Sequence, residues 1–71
     1  MFIKKAEVDA LRERYKEGVV VVLDWMDDPH APPVGTKGVV EFVDDAGQIH
    51  VRWGNGSGLA LVPNVDEFHL G

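Results

Sequence analysis

Three histidines, His30, His50 and His69, and twelve carboxylates are the groups in this 71-residue chain that could do chemistry. Imidazole and carboxylate together hold zinc or move protons. A zinc site, however, needs donors at short fixed spacings such as His-x-x-x-His or His-Glu-x-x-His, and the sequence contains neither. Asp27-Asp28 and Asp44-Asp45 stand near Pro, Ala and Gly, the company of turn formers. Their like charges also discourage a sheet edge from pairing with another chain. Nucleophilic catalysis needs a hydroxyl, thiol or amine held beside a base. There is no cysteine, one serine (Ser57) and one threonine (Thr36), and neither hydroxyl stands in a strand-turn-helix elbow. Gly35-Thr36-Lys37-Gly38 lacks the spacing of a phosphate loop and leads into a strand. The expectation is a non-enzyme without metal or cofactor.

Charge narrows the partners. Seven Lys and Arg face twelve Asp and Glu, for a net charge of −5. Residues 1–18 hold five of the bases against four acids, whereas residues 19–71 hold only Lys37 and Arg52 against eight acids. Phosphate binding needs clustered cations. Nucleic-acid association, through Lys37, His50 and Arg52 plus the basic residues near the N-terminus, is therefore the alternative reading. Zero cysteines exclude a disulfide frame and thiolate zinc and point to a reducing compartment. A chain of this length buries only about 60% of its unfolded surface, so the core is thin. No apolar run follows the basic start as in a signal peptide. The longest such run, Val19 to Leu23, falls far short of the ~20 residues that span a bilayer. A soluble cytoplasmic protein is expected.

The elements that must position these residues follow from periodicity. From about Lys4 to Glu17, Val8, Leu11 and Tyr15 form one apolar stripe of a helix that Gly18 stops. Val19 to Trp25 is a β-branched strand with Val19, Val21, Leu23 and Trp25 on one face. Val20 and Val22 share the other with Asp24, and the helix is the expected cover for that face. Met26 to Val34 is a stiff loop holding Pro29, Pro32 and Pro33. Lys37 to Val43 is a second strand, and Asp44 to Gly47 a turn. In the third strand, Gln48 to Trp53, Ile49, Val51 and Trp53 point inward and Gln48, His50 and Arg52 outward. Gly54 to Gly58 carries the hairpin signal Asn55-Gly56. Leu59 and Leu61 begin a fourth strand, Pro63 to Asp66 a bend, and inward Phe68 and Leu70 a fifth. The predicted fold is mainly β: an SH3-like five-stranded small barrel over residues 19–71, with an N-terminal α-helix in residues 1–18 packed on it as one domain.

Several segments carry a family resemblance. Asp27 to Val40 (DDPHAPPVGTKGVV), Asp44 to Trp53 (DDAGQIHVRW), Asn55 to Phe68 (NGSGLALVPNVDEF) and the lead-in Leu11 to Gly18 resemble the bacterial and phage family known as domain of unknown function 4314. The arrangement W-x-N-G-S-x-L-x-L from Trp53 to Leu61 is the most specific part. Members often carry an acidic residue where this chain has Gly54. The resemblance implies an SH3-type barrel of the kind found in small adaptor modules, and no assigned activity.

Long ordered loops on small rigid folds commonly carry function. The candidate partner-binding residues are therefore Trp25, Met26, Asp27, Asp28, Pro29, Pro32 and Pro33, with His50 and Arg52 on the exposed strand face. The expected function is an interaction or adaptor module that docks a segment of another protein through the Pro-rich loop, with Trp25 either lining a groove or filling the core. A homo-oligomer is a further option, and a phage or mobile-element accessory role a further alternative.

Overall fold

The computed structural model describes residues 4–71; the first three residues of the predicted helical segment 1–18 lie outside them. Helix α1 spans Lys5–Arg14 and has no side-chain cap at its start. It is held by packing: Val8 is buried, and Leu11 and Tyr15 pack against the core. The helix ends before Glu17 because the sheet claims the next backbone groups. Tyr15 N–H still bonds Leu11 O at 2.7 Å, but Gly18 N–H donates to Val40 O at 2.9 Å.

Four antiparallel strands follow, β1 (Val20–Trp25), β2 (Lys37–Val43), β3 (Ile49–Trp53) and β4 (Glu67–Leu70), in one open sheet of order β3-β2-β1-β4. The strand expected at Leu59 and Leu61 shrinks to a single bridge between Ile49 and Leu61. Its neighbours are engaged elsewhere: Leu59 O accepts the Trp53 indole N–H at 2.8 Å, and Leu59 N–H donates to Ser57 Oγ at 3.3 Å.

Two β-bulges decide which side chains are inside. The β1–β4 register shifts between Leu23 and Trp25, and the β2–β3 register shifts between Val40 and Phe42. Each extra residue, Asp24 and Glu41, reverses the alternation. Val21 and Leu23 are buried, then Met26; Val40 is buried, then Val43. Trp25, which alternation puts on the face of Val21 and Leu23 and leaves open between groove and core, is 48% exposed, and Phe42 is 54% exposed. Leu70 pairs with Val21 and shares its face, but it stands on the edge strand and is half exposed, not inward.

The core gathers Val8, Val21, Leu23, Met26, Val40, Val43, Ile49, Val51, Trp53 and Leu61. Helix α1 lies on this core side. Its Tyr15 ring sits 5.5 Å from Phe68. Arg12 Nε donates to Val43 O at 3.1 Å and Nη2 to Asp45 Oδ1 at 2.8 Å, fastening the helix to the β2–β3 turn. The helix therefore does not cover Val20 and Val22, contrary to expectation. Val20 is 37% exposed, and the outer face of the sheet is open at that corner.

The turns match their chemistry. Asp44 Oδ1 accepts the N–H groups of Ala46 and Gln48 at 3.0 and 2.9 Å. The second hairpin loop is Gly54-Asn55-Gly56, closed by Trp53 N–H to Ser57 O at 2.9 Å. Of its residues only Gly56 takes a positive φ, +90°. The turn is thus the three-residue kind with a glycine bulge, not the two-residue type in which both central residues are left-handed. Among the described residues no helix is long and apolar enough to cross a membrane.

Candidate functional site

The Pro-rich loop is tied down rather than displayed. Its anchor is Asp66, a carboxylate only 8% exposed, which accepts Asp27 N–H at 3.2 Å and Val62 N–H at 2.8 Å. Within the loop, Asp28 Oδ1 accepts His30 N–H at 2.7 Å, and Pro33 O accepts Thr36 Oγ1–H at 2.6 Å. Gly35 N–H returns to Leu23 O at 2.7 Å. Met26 and Pro32, expected to meet a partner, are buried and serve as the inner side of the loop. The bulge at Asp24 turns Met26 into the core in the place Trp25 would have taken. Asp27, Pro29 and Pro33 are exposed and Asp28 half-buried. Trp25 is half-exposed beside Glu67, its partner on β4.

His50 and Arg52 do not join this loop. Both lie on the outer face of β3, as the alternation predicts. His50 is occupied: its Nε2 lies 2.8 Å from Asp44 Oδ2, and its ring stacks on Phe42 at 4.2 Å between centroids. Arg52 faces Val39 across β2, and Val39 faces Val20 across β1, so the three form one row. That row stands at the end of β1 away from Trp25.

The row is the floor of a surface groove of about 520 Å³, bounded by Lys37 at one side and by Gly54 and Gly56 of the hairpin loop. Gly38 pairs with Trp53, and Gly54 N–H donates to Lys37 O at 2.8 Å. Lys37 and Arg52 are therefore diagonal cross-strand neighbours, with Cα atoms about 7–8 Å apart for such a pair. The groove thus collects both Lys and Arg residues of the stretch 19–71. Among the described residues, Lys5, Arg12 and Lys16 are held in ion pairs, and Lys4, Arg14, Lys37 and Arg52 in none.

Two other grooves have different character. One of about 540 Å³ between α1 and β4 is lined by Tyr15 and Phe68 together with the acids Asp24, Asp66 and Glu67. A smaller one of about 270 Å³ lies between α1 and β2. Trp25 lines none of the three. Sequence reasoning identified Arg52 and missed Val20, Val39 and the hairpin glycines as a surface. The signal that could have found them was the second apolar face of the first strand, Val20 and Val22, which the sequence reading gives to the helix instead.

The fold and groove define a small mainly β protein with a helix on the core side of its sheet and an open cationic-rimmed apolar corner on the other. The profile of the family described as Domain of unknown function (DUF4314) matches residues 4–70, and the chain belongs to that family. No curated protein and no solved structure matches it significantly.

Proposed function

We propose that this chain is a non-enzymatic binding module of the SH3-like type that docks a segment of another protein in the groove over Val20 and Val39. The barrel reading is supported by the Ile49–Leu61 bridge, which lays a fifth segment along the outer edge of β3. From there the chain crosses to β4 at the opposite edge, the path that begins to close a sheet on itself. The observation that carries the binding reading is the groove itself. Exposed Val20 and half-buried Val39, left uncovered by the chain's own helix, give the groove an apolar floor inside a polar rim, the kind of surface that marks an interaction site.

The Pro-rich loop is, in this reading, a structural strap held by Asp66, and Trp25 borders the binding face without forming it. The test is selection from a phage-displayed random peptide library on the wild-type protein and on Val39→Asp. Peptides enriched on the wild type and lost on Val39→Asp support the module. No enrichment, or enrichment indifferent to Val39 and abolished by Trp25→Ala, refutes the groove as the site.

A further inference from the structure

The groove selects its partner by charge, and we infer that it takes an extended segment bearing two acidic side chains at positions i and i+2 flanked by an apolar residue. The inference rests on the groove being the binding surface. Three features carry it. Lys37 and Arg52 both rim the groove, and among the described residues neither is neutralised by an ion pair. Elsewhere residues 19–71 carry eight acids, so an acidic segment is repelled from the rest of this surface and drawn to this corner. Complementarity of that kind sets register and partner choice more than affinity. The geometry is the third feature. Alternate residues of an extended chain lie about 6.6–6.8 Å apart on one side, close to the diagonal separation of Lys37 and Arg52. The valine row runs from Arg52 across the strands, so Val39 and Val20 flank the site where the acid meets Arg52 and meet an apolar side chain that flanks the acidic pair.

Nucleic acid fits the same corner less well. Two cations neutralise at most two phosphates, which gives a shallow salt dependence and little affinity. No aromatic face stands exposed among the groove residues for base stacking: Trp53 is 1% exposed.

Three synthetic octapeptide pools test the inference, each with Leu, Ile, Val or Phe at the positions flanking the pair and Ser elsewhere, and with Glu, Gln or Lys at both i and i+2. A dT12 oligonucleotide serves as a fourth probe. Titration of the ¹⁵N-labelled protein reads the backbone amides of Val39, Arg52, Gly54 and Gly56. The Glu pool is expected to shift these amides and to bind on the order of tenfold more tightly than the Gln pool, with the Lys pool inert. In a Lys37→Glu, Arg52→Glu variant with unchanged thermal stability, the preference should pass to the Lys pool. Equal shifts from the Glu and Gln pools would leave the groove as a binding surface and overturn its acidic preference. Silence of the groove amides with every pool would overturn both readings. Groove shifts with dT12 that vanish steeply with salt would put nucleic acid in place of the peptide.

Discussion

His50 Nε2 and Asp44 Oδ2 lie 2.8 Å apart across the β2–β3 turn. This bond, ahead of any other cause, holds the Asp44 carboxyl below its ordinary value of 3.8; the N–H groups of Gln48 and Ala46 add to it, and partial burial opposes it without prevailing. A carboxyl depressed in the folded state contributes stability that is present above its unfolded pKa and lost as pH falls through the folded one. The chain should therefore lose stability below about pH 4. Asp44→Asn should cost about 1–2 kcal/mol near pH 7 through weakened hydrogen bonds and flatten the acid limb. Urea midpoints from pH 2.5 to 7 check this. An acid limb identical in the two proteins would remove Asp44 from the account.

Gly38 makes a prediction about packing. A Cβ added there would overlap Val51 Cγ1 and fall 2.7 Å from Trp53 Cε3. Both neighbours are buried core with no room to yield, so Gly38→Ala should destabilise by about 1–3 kcal/mol. The measurement is chemical denaturation followed by near-ultraviolet dichroism, which reports Trp53 packing. Gly56→Val should be at least as harmful for a different reason, since open space surrounds Gly56 but its φ of +90° is hostile to a β-branched residue. An unchanged melting temperature in Gly56→Val would exclude the three-residue turn.

Much of the central fold was legible because local rules coincide there. The alternation of Ile49, Val51 and Trp53 marks one buried face, and Asp44 and Gly47 end the preceding strand with side-chain bonds that need only neighbouring residues. The bulges at Asp24 and Glu41 were not legible. A bulge is a mismatch between two strands, so neither strand's own pattern records it. The bulge at Asp24 is what sends Met26, expected at the surface, into the core, and it decides for Trp25 the choice between core and surface that alternation leaves open. The groove was hidden for a similar reason. Arg52 was expected to face outward, but only the register Gly38↔Trp53 brings Lys37 beside it. The helix was assigned to the wrong face because its apolar stripe fits either side of a β-branched strand; Arg12 reaching Val43 O and Asp45 decides the matter.

Asp66 is the residue on which the loop depends. Replacing it with Ala leaves the N–H groups of Asp27 and Val62 without their acceptor, at a cost of about 1–2 kcal/mol for part-buried donors that water reaches in part. The damage should be local as well as global. Hydrogen exchange in Asp66→Ala should accelerate at Asp27 and Val62 by more than at Val40 or Val51 in the sheet centre. Uniform acceleration would mean that the carboxylate supports the whole fold and not this strap.

The two tryptophans occupy opposite environments and can be read separately by fluorescence. Trp53 is 1% exposed with its indole N–H bonded to Leu59 O at 2.8 Å, whereas Trp25 is 48% exposed on the far side of a bulge. Trp25→Phe should leave a blue-shifted emission that acrylamide barely quenches, and should change stability by no more than about 0.5 kcal/mol, as exposed substitutions do. Trp53→Phe should leave the red-shifted, readily quenched emission of Trp25. It should also cost about 2 kcal/mol or more, because the change removes buried ring area and strands Leu59 O together. If the bulge at Asp24 were absent, Trp25 would return to the inner face and both variants would quench alike. The quenching ratio of the two variants is thus a direct measurement of the register shift that separates this fold from the one its alternation predicts.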